Sequence, residues 1–210
     1  RLPSPKIIMQ ALAEVKPTLV IAVPLIIEKI YKSKVKPVIE KAGMRFAMRL
    51  PGLEQVIMNK IKTELINAFG GEFIEVIIGG AAFNKEVEAF FKKMEFPFTV
   101  GYGMTECAPI ITYDGHETAK LYSCGRIVPN MEMKIDSPDP QNIPGELLVR
   151  GANVFLGYYK NEEATRAVLD EDGWLHTGDM GVIDADGYLF LRGRSKCMIV
   201  GPSGKKIYPE

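Results

Sequence analysis

Residues Phe73 to Glu106 read FIEVIIGGAAFNKEVEAFFKKMEFPFTVGYGMTE, and this stretch decides the fold. Phe73 to Ile78 is a run rich in apolar and β-branched residues that stops at Gly79-Gly80, which predicts a buried strand ending in a loop. Asn84 then suits a helix N-cap. Val87, Phe90, Phe91 and Met94 follow at i, i+3, i+4 and i+7, and Glu86 falls in the first turn, where a carboxylate favours the helix dipole. Phe96 to Val100 predicts the next strand, and Gly101-Tyr102-Gly103-Met104-Thr105-Glu106 the loop after it. Strand, helix and strand in this order imply a parallel sheet, whose ligands gather beyond the carboxyl ends of the strands. Both glycine-bearing loops fall at such ends.

The same pattern extends upstream. Thr18 to Val23 predicts a strand, and Pro24 suits the first position of a helix carrying Leu25, Ile26, Ile30 and Tyr31. Leu53 to Phe69 predicts a second helix, stopped by Gly70-Gly71. Downstream of residue 115 the pattern becomes short strands with turn signals, over Met131 to Ile135, Glu146 to Arg150, Gly181 to Ile183 and Tyr188 to Leu191, with Asp186-Gly187 as a hairpin turn and a short helix near Asn161. The expected fold is α/β: a mostly parallel sheet with flanking helices, then a small antiparallel sheet or β-barrel. The expected divisions are an α/β part over 1–115, a barrel-like part over 116–192, and an interdomain hinge with the start of another domain over 193–210.

Composition narrows the possible partners. The 210 residues are 47% hydrophobic and 25% charged, with 26 basic and 26 acidic side chains, so no net field marks a nucleic-acid binder. Cys107, Cys124 and Cys197 are odd in number and share no CxxC spacing, which disfavours a disulfide framework or zinc site and points to a reducing, cytoplasmic compartment. The longest apolar run, Leu19 to Ile27, is interrupted by Pro24 and is far short of the roughly 20 residues of a membrane span. The lysines and arginines between Lys29 and Lys62 read as a solvated helical face, with peripheral contact to an anionic inner membrane face as the alternative. Arg1 to Pro5 has neither an initiator Met nor a signal-peptide core, which predicts a chain that begins inside a larger protein.

Taken one at a time, the candidate chemical groups are ambiguous. Tyr102 to Glu106 offers an aromatic ring, a hydroxyl and a carboxylate, which suit a base, a phosphate and Mg²⁺ respectively, yet a glycine turn with a structural Thr and a surface Glu has the same spacing. Trp174-Leu175-His176-Thr177-Gly178-Asp179 reads equally as a buried strand ending in a Gly-Asp turn, and Gly193-Arg194-Ser195-Lys196 as a linker. His176 has no evident nucleophile beside it, which argues against a hydrolase triad. Asp184 to Gly187 lacks the remaining ligands of a calcium loop.

Their order changes this reading. Tyr102-Gly103-Met104-Thr105-Glu106 resembles the Tyr-Gly-x-Thr-Glu signature of the adenylate-forming superfamily of acyl-CoA synthetases, luciferases and adenylation domains. Gly145 to Gly151 with Gly157-Tyr158-Tyr159, Trp174 to Asp179, and Gly193 to Lys196 are similar to three further motifs of that family, in the family's order. The resemblance implies that Gly79, Gly80 and Ala81 line an adenine, with Tyr102 stacked near it in the Gly103-Met104 loop. It implies Thr105 on the phosphate, Glu106 on Mg²⁺, Asp179 and Arg194 on the ribose hydroxyls, and Lys196 as the hinge between half-reactions. The implied substrates are ATP, a carboxylic acid and coenzyme A, with AMP released and no nucleic acid as partner. The wording of Ser195 to Glu210 is most similar to bacterial long-chain fatty acid–CoA ligases. The family's phosphate loop and its catalytic lysine fall outside the sequence, so N- and C-terminal parts of the same enzyme are expected partners and the chain alone is expected to be inactive. Two alternatives stay open: adenylation of an aryl or amino acid for a carrier protein, and a non-catalytic AMP-binding fragment.

Overall fold

Strand formation at Leu19 and a proline five residues later begin the architecture. In the computed structural model, which describes residues 5–50, 52–195, 199–200 and 206–207, helix α1 (Pro5–Val15) precedes strand β1 (Leu19–Ala22), and Pro24 opens α2 (Pro24–Ile30). Proline suits that first helical position because its missing N–H has no intrahelical acceptor there. A π-helical turn, Tyr31–Val35, leads into α3 (Lys36–Ile39), α4 (Ala42–Ala47) and the longer α5 (Leu53–Ala68). Gly70, at φ +103°, ends the run: a Cβ there would lie 2.6 Å from the Leu12 carbonyl oxygen of α1. That close approach admits only glycine.

Strand β2 (Glu75–Ile78) pairs in parallel with β1, Val20 opposite Val76. Helix α6 (Lys85–Lys93) starts as expected, with Asn84 Oδ1 accepting from the Glu86 and Val87 N–H groups at 3.0 and 3.1 Å. Val87, Phe91 and Met94 are buried. Phe91 packs at a steep angle against Phe96 and edge-on to Phe98, with centroids 5.0 and 5.8 Å apart, so this one ring ties the helix to β3 (Phe98–Val100). The sheet order is β1-β2-β3.

The remaining strands are antiparallel. Strands β4 (Tyr102–Gly103), β5 (Ile110–Tyr113) and β6 (Arg126–Ile127) form one sheet. Strands β7 (Met131–Asp136), β8 (Gly145–Gly151), β9 (Leu175–Ile183) and β10 (Leu189–Arg194) form another in the order β10-β9-β8-β7. Helix α7 (Glu162–Arg166), capped by Asn161, lies between β8 and β9 in sequence, and β11 (Ile199–Val200) pairs with β12 (Lys206–Ile207). Ile111, Met131, Ile135, Leu147, Val149, Leu175 and Leu189 pack as one core around Cys107. Among the described residues no sheet closes on itself, so the expected barrel is a pair of open sheets. The two-residue strands β4 and β6 are too short to carry a ladder round a closed barrel.

The chain divides into two compact units, residues 1–99 with 115–117, and residues 100–114 with 118–210. No helix among the described residues is long and apolar enough to cross a membrane.

Candidate active site

The loop from Tyr102 to Pro109 is built by close backbone approach. Tyr102 pairs with Thr112 and Gly103 with Ile110 across a register break, and a Cβ on Gly103 would sit 2.1 Å from the Pro109 carbonyl oxygen. Glycine therefore lets the two strands meet, and the Met104 N–H donates to that same Pro109 oxygen at 2.8 Å. The enclosed residues coil into a 3₁₀ turn, Thr105–Cys107. Asn153 Nδ2 donates to the Cys107 and Ile110 carbonyls at 2.7 and 2.8 Å, while the Phe155 N–H donates to the Glu106 carbonyl at 2.7 Å. The loop is thus held from outside as well as within. Thr105 is exposed at its surface and Glu106 half-buried.

The Glu106 carboxylate accepts a hydrogen bond from the Tyr158 hydroxyl at 2.7 Å. That bond, reinforced by burial, raises the Tyr158 pKa and keeps the donor protonated. A carboxylate has about four lone-pair sites, so one such bond leaves Glu106 capacity for a cation. Mg²⁺ favours one or two carboxylates completed by phosphate and water oxygens. Among the described residues no group of three or more His, Cys, Asp or Glu could hold a metal. Neighbouring Cys107 is wholly buried, which together with the Glu106 charge pushes its thiol up to about 11; it is a packing residue.

The second cluster centres on Asp179. Instead of the expected turn at Gly178-Asp179, β9 runs straight through from Leu175 to Ile183. Gly178 sits within it at φ +72°, and the pairing with β8 shifts between Glu146 and Leu148. The turn signal of Gly-Asp is here a bulge signal, because a left-handed glycine can absorb extra residues without ending a strand. Gly193-Arg194 likewise belongs to β10, with Arg194 opposite Asp179. The linker expected there is strand up to Arg194, and Lys196, the expected hinge, lies outside the described residues.

Asp179 is only 7% exposed. Its Oδ2 accepts from the Tyr102 hydroxyl at 2.6 Å and its Oδ1 from Arg194 Nε at 3.0 Å. Burial first, then the bond to Asp179, pushes the Tyr102 hydroxyl well above its ordinary range, so it stays a donor. Two lone-pair sites of the carboxylate remain for further donors such as sugar hydroxyls. His176 and His116 pair with carboxylates, at 3.2 Å from Glu146 and Glu75 respectively.

Of the expected site residues, the second unit brings Tyr102, Asp179 and Arg194 into one hydrogen-bonded chain and holds Gly103, Met104, Thr105 and Glu106 on the loop that continues from Tyr102. Gly79, Gly80 and Ala81 belong to the first unit. There the Gly79 N–H donates to the Ala22 carbonyl at 3.1 Å and Gly80 takes φ +87°, leaving an open turn beyond the carboxyl end of β2. Three residues that support the site were not singled out from sequence: Tyr158, Asn153 and Glu146. Tyr158 and Glu146 lie inside quoted motifs, while Asn153 carries no local signal.

The chain belongs to the AMP-binding enzyme family, whose sequence model matches residues 1–159. It is similar to long-chain-fatty-acid–CoA ligase ACSBG2 of Rattus norvegicus, at 29% identity over 223 residues that cover 96% of this chain and 33% of the relative. It is also similar to 4-coumarate–CoA ligase 5 of Oryza sativa subsp. japonica, at 34% identity over 180 residues covering 79% of this chain and 33% of the relative. In fold it matches O-succinylbenzoate coenzyme A synthetase (MenE) from Bacillus subtilis, solved in complex with ATP and magnesium ion, with TM-score 0.71 and 24% identity over 99% of this chain and 38% of that one. The chain spans about a third of the length of the curated relatives it matches.

Proposed function

We propose that this chain is the nucleotide-holding part of an acid–thiol ligase that activates a long-chain fatty acid with ATP and passes the acyl group to coenzyme A. In the first half-reaction a carboxylate oxygen attacks the α-phosphorus and pyrophosphate leaves, giving acyl-AMP. In the second, the thiol attacks the acyl carbon, loses its proton, and AMP leaves with the bonding electrons. Asp179 and Arg194 would hold the ribose, Thr105 a phosphate oxygen, and Gly79, Gly80 and Ala81 the adenine face. Glu106 would hold Mg²⁺, which offsets charge developing on the phosphates. The observation that carries the reading is the hydrogen-bonded chain Tyr102–Asp179–Arg194, joined through Tyr102 to the pinned loop that presents Thr105 and Glu106. The phosphate loop and the catalytic lysine of the family would come from segments outside residues 1–210.

The similarity to 4-coumarate–CoA ligase favours an aryl acid as the second reading. Acid-dependent exchange of labelled pyrophosphate into ATP by the enzyme that carries this chain separates the two. Exchange with palmitate and none with 4-coumarate is expected; the reverse replaces the fatty acid with an aryl acid, and no exchange with any acid leaves an AMP-binding protein without ligase chemistry.

A further inference from the structure

The Gly-Glu motif that opens β8 has no role in the chemistry above, yet its carboxylate reaches across to β9. Glu146 Oε1 accepts the Gly178 N–H at 2.9 Å, and Glu146 Oε2 lies 3.2 Å from His176 Nδ1. Both partners flank Thr177, whose hydroxyl donates to the Leu147 carbonyl at 2.8 Å and accepts the Asp179 N–H at 3.1 Å. The register explains why so many bonds converge. Glu146 faces Met180 and Leu148 faces His176, so Thr177, Gly178 and Asp179 are all accommodated opposite the single residue Leu147. A bulge of this size leaves ladder groups unpaired, and each needs another partner. Glu146 and the Thr177 hydroxyl supply them.

We infer that Glu146 is a positioning residue for Asp179: by bonding the Gly178 N–H and His176 it fixes the bulge that sets the carboxylate between Tyr102 and Arg194. This rests on the reading of Asp179 as a ribose anchor. Glu146 itself touches no nucleotide in this reading; it acts through the backbone one residue before Asp179. A glutamine can still accept the Gly178 N–H through its amide oxygen, whereas alanine cannot.

The test is calorimetric binding of ATP and of 2′,3′-dideoxy-ATP to the enzyme that carries this chain. The wild type should prefer ATP, and Asp179→Ala should lose most of that preference. Glu146→Ala is expected to lose preference roughly tenfold, at the low end of what removing an outer-shell partner costs a site, while Glu146→Gln keeps most of it. Combining Glu146→Ala with Asp179→Ala should add nothing to the loss. A general structural defect would instead weaken both nucleotides equally, and that result in Glu146→Ala overturns the inference. Should Glu146→Ala fail to fold, Thr177→Val removes the other tie and must show the same selective loss, or the inference falls. If Asp179→Ala keeps the full preference, the ribose reading fails and takes the inference with it; if Asp179→Ala loses it and Glu146→Ala does not, the inference alone fails.

Discussion

At the scale of single residues, the two carboxylates of the candidate site differ in what they can give. Glu106 spends one lone pair on Tyr158, whereas Asp179 is buried with both oxygens engaged. Glu106→Gln should therefore leave the fold intact and slow pyrophosphate release while raising the Mg²⁺ concentration needed for half-maximal rate, because a neutral amide is a poor ligand for that ion. An unchanged Mg²⁺ dependence would return Glu106 to a structural role. Tyr158→Phe should shift the same Mg²⁺ titration by less, since it frees the carboxylate's orientation without removing it. Asp179→Ala should weaken ATP binding by about 1.5–3 kcal/mol if a charge-assisted bond to ribose is lost, checked by calorimetry; an unchanged affinity would leave Asp179 as a clamp between Tyr102 and Arg194 only. Glu106 and Asp179 were visible in the sequence as candidates, through the motifs that hold them. The Tyr158 contact was not, since it joins positions 52 residues apart and depends on how the loop after β8 folds back.

At the scale of elements, glycine does two different jobs. Gly103 has no room: the Pro109 oxygen would be 2.1 Å from a Cβ. Gly178 has room, its nearest neighbour being Ser195 Oγ at 3.9 Å, but its φ of +72° disfavours other residues. Gly103→Ala should cost about 1–3 kcal/mol by forcing β4 from β5, and Gly103→Asn should be no milder. Gly178→Ala should cost about 1–2 kcal/mol through conformation alone, and Gly178→Asn less, because asparagine tolerates left-handed φ. Urea unfolding of the four variants checks this; equal costs for Ala and Asn at Gly178 would show that strain is not the cause. The βα pattern was readable because periodicity and capping are local, as at Asn84 and α6. The bulge in β9 was not, because Gly-Asp has the same local preferences in a turn and in a bulge. Only the partner strand decides between them.

At the scale of the whole molecule, the second unit's antiparallel sheets carry an ion pair that contributes to their response to acid. The Arg126 guanidinium donates twice to the nearly buried Asp114, from Nε at 2.8 Å and Nη2 at 2.9 Å, and this pairing, opposed only in part by burial, holds the Asp114 carboxyl below its ordinary range. The unfolded chain then takes up the proton first as pH falls. Stability from the pair is complete above the ordinary carboxyl value of about 4 and is lost as pH drops through the lower folded value. Asp114→Asn should accordingly unfold at lower urea than wild type at neutral pH, with the gap narrowing below about pH 4; a gap independent of pH would assign the loss to packing. The order of α/β part then antiparallel part was legible, because the change from helical to alternating pattern is spread over many residues. Whether the second part closes on itself was not, since closure depends on strand length and shear that no short window contains.

Arg194 joins two kinds of connection at one point: it is the last residue of β10, paired through the backbone with Asp179, and its side chain bonds that same aspartate. Strand ends ordinarily fray, and their amides exchange with solvent early. Here the final rung is fastened twice, so whichever of the last β10 amides faces β9 should exchange slowly in heavy water, and Arg194→Ala should speed it while leaving the middle of β10 unchanged. The end of β10 is therefore a fixed post tied to Asp179 through both backbone and side chain, and a pull on the chain at Arg194 would be felt at that carboxylate.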